Sequence, residues 1–319
     1  TAERIRSYFK SKGGNMPENN LKQAMLPVGG TVFENNHGTA PGAALEKNGK
    51  CVIILPGPPG ELVPMFNESV RGFLKKYSDG AIVSHTVNII GMGESSVAEE
   101  IEDMFDAKNP TVAPYAKSGE VRLRITAKAE TADEADKMCA PVVDEICSRL
   151  GDVVYGTDMN SIEERVVALL KEKGKKIATA ESCTAGYIPK RLTDIPGASE
   201  VFECGIVSYS NDIKTKLLGV SPKTLETYGA VSEQTAREMA LGAKHVSGAD
   251  IAISTTGLAG PGGDGVLPGG LSFAAVTDGE RTVVEKIVTG HGNDREYNRY
   301  VTASRALNLA RLMLEEKMK

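Results

Sequence analysis

From residue 176 onward the chain alternates short apolar runs with amphipathic helical stretches, and this order restricts the fold more than any other property of the sequence. The runs at 176–180, 204–209, 250–255, 270–276 and 282–288 read as strands. Helical periodicity covers 183–192, 212–218, 232–247 and 294–316. Strands that alternate with helices must carry those helices on the faces of a sheet, so a layered α/β domain is expected. It opens near residue 156, where the chain turns polar and Ser161-Ile162-Glu163-Glu164 can cap a helix that continues to Lys173.

Upstream the pattern is different. Residues 82–90 read as a strand, 94–105 as a helix, and Val121-Arg122-Leu123-Arg124-Ile125 as a half-exposed strand. A helix over 132–150 completes a small β-α-β-α unit with Met138, Cys139 and Val142 in its core. Tyr77-Ser78-Asp79-Gly80 is the boundary before it. Residues 1–12 form an amphipathic helix with Ile5, Tyr8 and Phe9 on one face, ended by Gly13-Gly14. The apolar run 51–55 reads as a buried parallel strand. It stops at Pro56-Gly57-Pro58-Pro59-Gly60, and a helical pattern follows over 61–76. At 319 residues the chain exceeds one ordinary core, and domains at 1–78, 79–155 and 156–319 are expected. Because it opens at Thr1 without an initiator Met, a fragment is expected.

A formal charge of −5 disfavours nonspecific contact with nucleic acid or an anionic membrane. No apolar run approaches the roughly 18 residues a membrane span needs. The five Cys are scattered without a CxxC pair, which points to reduced thiols in a cytoplasm and away from zinc.

Four segments can carry chemistry. In Glu181-Ser182-Cys183-Thr184-Ala185-Gly186 a strand gives way to a helix, and a hydroxyl there sits beside unpaired N–H groups able to stabilise an oxyanion. Ser182 or Thr184 can equally be a helix cap. Cys183 is a competing nucleophile if the helix end lowers its pKa, or a buried free thiol if not. None of the four His lies in a turn of this strand-end face, so a Ser-His-Asp triad is poorly supported. Lys214 is the better base, since a helix start and partial burial both depress an amine, and Tyr209 can relay the proton. A solvated Lys and a core Tyr are the alternative. Thr256-Gly257-Leu258-Ala259-Gly260-Pro261 is a Gly-rich turn suited to an anion. Arg295 and Arg299, one helical turn apart, can clamp a phosphate or simply pair with acidic neighbours.

Glu181-Ser182-Cys183-Thr184-Ala185-Gly186, Tyr209-Ser210-Asn211-x-x-Lys214, Gly229-Ala230-Val231-Ser232 and the Thr256–Pro261 run resemble the C-terminal domain of the CinA (competence/damage-inducible protein A) family, which is also the nicotinamide-nucleotide amidase family. The resemblance covers about residues 158–316. It implies a three-layer α/β domain, a nucleophilic Ser182, an activating Lys214 with Tyr209, and no cofactor. Cys183, Thr184, Thr256, Gly257, Ala259, Gly260, Arg295 and Arg299 fall on the substrate side, with Arg295 toward the phosphate. The implied substrate is nicotinamide mononucleotide, whose carboxamide is hydrolysed to nicotinate mononucleotide and ammonia. The sequence departs from the family's usual pattern at Ala185, at Leu267-Pro268-Gly269-Gly270 and at 290–294.

Residues 36–42 and 55–61 resemble the second half of a MoaB/MogA-type α/β domain, and 80–152 the family's KH-like α+β domain without a GxxG clamp, a structural spacer. A phosphate loop at Gly38, Thr39, Pro56 and Gly57 is implied. A divalent metal and ADP-ribose hydrolysis are implied only for a complete N-terminal domain. Self-association as a dimer, and an alternative role as a competence- or damage-linked interaction protein, also follow from the resemblance.

Overall fold

The computed structural model describes residues 1–318 and divides between Gly80 and Ala81 into two compact units. In the first, α1 (Ala2–Ser11) precedes an antiparallel sheet of β1 (Thr31–Phe33), β2 (Gly42–Lys47) and β3 (Lys50–Ile54), followed by α2 (Pro59–Met65) and α3 (Arg71–Leu74). The expected buried parallel strand at 51–55 is therefore corrected. It is the antiparallel partner of β2, joined to it by Asn48-Gly49, where both residues take positive φ. An Asn-Gly pair is the strongest short hairpin signal. Cys51 and Ile53 pack toward Phe33 and Met65, while Val52 and Ile54 face outward.

The second unit begins with β4 (Ala81–Ile90), α4 (Glu94–Glu100), β5 (Thr111–Lys117), β6 (Glu120–Ala129), α5 (Ala132–Leu150) and β7 (Val154–Thr157). The strands form an antiparallel sheet in the order β5-β6-β4-β7. The expected β-α-β-α order lacked β5 and β7. Both are edge strands, one interrupted by Pro114, which only an edge tolerates, and the other four residues long. A capping box between Thr131 and Glu134 starts α5, which lays Ala135, Cys139 and Ile146 against Val87, Ile89, Leu123 and Ile125.

The remaining elements are α6 (Ile162–Glu172), β8 (Ile177–Glu181), α7 (Tyr187–Thr193), β9 (Phe202–Val207), α8 (Asn211–Leu218), α9 (Pro222–Tyr228), α10 (Glu233–Ser247), β10 (Ile251–Gly257), β11 (Leu271–Thr277), β12 (Thr282–Val288) and α11 (Arg295–Leu314). The sheet runs β12-β11-β10-β8-β9, parallel across β10-β8-β9 and antiparallel beyond. Two apolar layers hold it. Ile177, Ile251 and Ile253 meet Val166, Leu170, Ile188 and Leu307 on one face. Ala178, Ala180 and Ala252 meet Leu218, Met239 and Ala243 on the other. This is the three-layer arrangement that alternating strands and helices require.

Strand order decides where a ligand can sit. From β8 the chain crosses through α7 to β9 on one side, then returns through α8, α9 and α10 to β10 on the other. The two crossovers diverge at the carboxyl end of β8, leaving a crevice there.

Helix α11 also faces the β5-β6-β4-β7 layer. Arg311 is fully buried, and its guanidinium donates to the carbonyls of Asp152 at 2.7 Å and Val154 at 3.3 Å. The buried Glu120 carboxylate accepts from Tyr155 at 2.9 Å and Tyr300 at 3.4 Å. Among the described residues no helix is long and apolar enough to cross a membrane.

Candidate active site

Ser182 follows β8 and Lys214 lies in the second turn of α8, thirty-two positions on, yet Lys214 Nζ is 3.0 Å from Ser182 Oγ. The helix is set by Ser210, whose hydroxyl caps it by accepting from the Ile213 amide. From there the lysine stem runs back to the strand ends and leaves only 1% of the residue exposed. Nζ donates to the Ser208 carbonyl at 2.8 Å and the Tyr209 carbonyl at 3.3 Å. Burial pushes this amine below its usual range, opposed only weakly by Cys183. In the neutral form its two N–H groups satisfy those two carbonyls. The lone pair is then left for the Ser182 hydroxyl, within the reach a nucleophile and base require.

Around this pair lies a cleft of about 310 Å³ lined by Ser182, Cys183, Tyr209, Lys214, Ala230, Val231 and Arg295, and by the run from Thr256 to Gly263. Thr256 is buried and donates to the Ala230 carbonyl at 2.6 Å, which ties the 229–231 turn to β10. Gly257, Ala259 and Gly260 form the floor of the Gly-rich turn. Gly260 has φ +91°, and a Cβ there would meet the Gly292 carbonyl at 2.3 Å, so no other residue fits. Arg295, the first residue of α11, donates to the Gly260 carbonyl at 2.8 Å and reaches the Tyr209 hydroxyl at 3.4 Å.

Several expected roles change. The helix after Ser182 starts at Tyr187 rather than 183. Ser182's own amide donates to the Thr255 carbonyl at 2.9 Å, and the Ile188 amide goes to Glu181 Oε2 at 3.2 Å. Ser182 therefore has no row of free helix N–H groups beside it. The chain bends instead at Ala185 (φ +50°) and Gly186 (φ +87°). Tyr209 is 62% exposed, and it meets Lys214 through its backbone carbonyl while its hydroxyl accepts from Arg295 at 3.4 Å.

Thr184 and Arg299 do not line the cleft. Thr184 is buried with its hydroxyl 2.6 Å from that of Thr255, and Arg299 donates to the Thr184 carbonyl at 2.7 Å. The two arginines share a helix face but divide their work, because Arg299 turns under the 182–186 loop. Cys183 lines the cleft, but burial pushes its thiol up to about 12, the opposite of an activated nucleophile. Cys183→Ala is accordingly expected to keep turnover within about threefold of wild type, since a protonated thiol is a poor nucleophile. Parallel rate measurements on the two proteins check this.

Asn298 was not legible in the sequence. Buried in α11, its side-chain amide donates to the Ala259 carbonyl at 2.8 Å and the His291 carbonyl at 2.7 Å, and it accepts from Thr289. It locks the Gly-rich turn to the 289–292 loop. Only its spacing of three from Arg295 marked it as facing the same way.

In the first unit, Gly38 and Thr39 border a cavity of about 400 Å³ with Arg4, Tyr8 and Asn36, whereas Pro56 and Gly57 do not line it. Glu61 packs so close to Gly38 that a Cβ there would lie 2.0 Å from the carboxylate, which also accepts from Asn35 at 2.6 Å. The Glu61 side chain thus fills the space beside Gly38. Among the described residues no three His, Cys, Asp or Glu side chains are grouped to hold a metal ion.

The description "CinA C-terminal domain" matches residues 159–314, and "Damage-inducible protein CinA KH domain" matches 84–156. A "Putative competence-damage inducible protein" of Clostridium beijerinckii is 52% identical over 294 residues, covering 91% of this chain and 72% of that protein. A "CinA-like protein" of Desulfovibrio desulfuricans is 46% identical, covering 97% and 73%. Among solved structures, the competence/damage inducible protein CihA from Agrobacterium tumefaciens is 38% identical with a TM-score of 0.46, covering 48% of this chain and 93% of that one. With the two family descriptions together spanning residues 84–314 and relatives this similar along almost its whole length, the chain belongs to the CinA family.

Proposed function

We propose that the C-terminal domain is a serine amidase that hydrolyses the carboxamide of a pyridine mononucleotide, with nicotinamide mononucleotide giving nicotinate mononucleotide and ammonia. The observation that supports it most is the 3.0 Å contact between a buried amine and the Ser182 hydroxyl at the mouth of a nucleotide-sized cleft.

The chemistry runs in two halves. Neutral Lys214 takes the Ser182 proton as Oγ attacks the carboxamide carbon. The resulting ammonium returns that proton to the nitrogen as the C–N bond breaks, and ammonia leaves. Water then enters, loses a proton to the same amine and attacks the acyl carbon, and the ester bond breaks as Ser182 is reprotonated. No group outside the pair is needed to balance protons.

The rest of the cleft binds. The exposed ring of Tyr209 can cover a pyridine face, and the guanidinium of Arg295 can meet a phosphate at the Gly-rich turn. Arg295→Ala is expected to raise KM about 10- to 100-fold with kcat nearly unchanged, the range for losing a hydrogen bond to a charged group. Steady-state kinetics over nucleotide concentrations from below to well above KM separate the two constants.

The test of the whole proposal is ammonia release from a panel of pyridine amides: free nicotinamide, its riboside, its mononucleotide and its dinucleotide. The mononucleotide should be turned over best. Ammonia from none of them would overturn the assignment.

A further inference from the structure

The mechanism leaves the buried acid beside the nucleophile unused. Glu181, the last residue of β8, is completely buried although it directly precedes the nucleophile. Its Oε2 accepts from the Ile188 amide at 3.2 Å, and the Gly186 and Tyr187 amides and the Thr184 hydroxyl also face the carboxyl. Oε1 has no partner. Burial raises the pKa of this group, partly offset by those donors.

The backbone of Glu181 is equally committed. Its carbonyl accepts from the Ser208 amide at 2.8 Å, and it lies in register with Thr255 on β10 and Val207 on β9. The side chain thus hangs from the most constrained strand of the sheet and holds the far end of the 182–186 bend. That bend contains two consecutive residues with positive φ, one of them the non-glycine Ala185. A left-handed alanine persists only where its surroundings enforce it. Ser182 Oγ is free to rotate unless this loop is fixed, and its only contact with the base is the single 3.0 Å hydrogen bond.

We infer that Glu181 is a positioning residue for the nucleophile: its carboxyl clamps the first-turn amides of α7 and so fixes the loop that aims Ser182 Oγ at Lys214. This rests on the amidase reading of Ser182. The clamp needs an acceptor oxygen and does not need a charge, so the amide of Gln can replace it, whereas Ala cannot.

The experiment compares wild type, Glu181→Gln, Glu181→Ala and Ser182→Ala in two assays. One is steady-state ammonia release from nicotinamide mononucleotide. The other is the rate of covalent modification of Ser182 by a small sulfonyl fluoride, with the modified residue identified by peptide mass. Glu181→Gln is expected to keep kcat and the labelling rate within about threefold. Glu181→Ala should lose about 100-fold in kcat with KM changed less than threefold, and label slowly but to full extent.

A merely structural role would lower the labelled fraction and leave the rate constant of the folded fraction unchanged, and that result overturns the inference. So does a Gln variant as impaired as Ala. If Glu181→Ala fails to fold, the Gln variant's kinetics still decide. Failure of the amidase reading looks different: wild type itself would release no ammonia, or would not be modified at Ser182.

Discussion

Replacing Ser182 by Ala should abolish ammonia release, by about 10⁴-fold or more, the scale on which serine hydrolases lose turnover with their nucleophile. The fold should survive. The Ser182 amide still bonds the Thr255 carbonyl, and the side chain's one hydrogen bond is to Lys214. A thermal unfolding curve alongside the kinetics separates loss of chemistry from loss of structure. A variant with normal turnover would remove Ser182 from the mechanism.

Lys214→Met should be almost as damaging, about 10²- to 10⁴-fold, the usual contribution of a general base. Lys214→Arg should be no better, because a guanidinium does not lose its proton near neutral pH. In wild type the acylation rate should climb with pH as the amine deprotonates. Its midpoint should lie below the usual lysine value of 10.5, because burial depresses this group. A flat profile through that region would argue against Lys214 as base.

The same shift has a stability signature with a definite sign. In the window between the depressed native pKa and the unfolded value, the unfolded chain binds the extra proton, so native stability rises with pH. Wild type should therefore gain stability relative to Lys214→Met as pH increases through that window. Denaturant midpoints measured at several pH values read this directly.

What the sequence made legible was local. The order of strands and helices in the last 160 or so positions follows from apolar periodicity, and every strand expected there is present within three residues of its expected ends. The short helix α9 was missed, since seven residues give too little periodicity. The hairpin of β2 and β3 was missed because apolar continuity at 51–55 was weighed above the Asn48-Gly49 turn. Ser182, Lys214, Thr256 and Arg295 were nameable as residues at strand ends or helix starts. That Ser182 and Lys214 touch could not be read from spacing, because it depends on β8 and β9 lying side by side. The division of labour between Arg295 and Arg299 was equally hidden. Residues one turn apart share a face, but their long side chains end in different surroundings.

The grip of Arg311 on the Asp152 and Val154 carbonyls sets a limit on how this polypeptide can be cut. A C-terminal fragment begun just past residue 156 would lose both of those acceptors and leave the Arg311 guanidinium to Glu315 and Asn308, and a buried donor left without its acceptor costs about 1–3 kcal/mol. Carrying the upstream border back to include 151–155 keeps both acceptors. The short stretch between the two layers is thus a plug that belongs chemically to α11 and the sheet it covers.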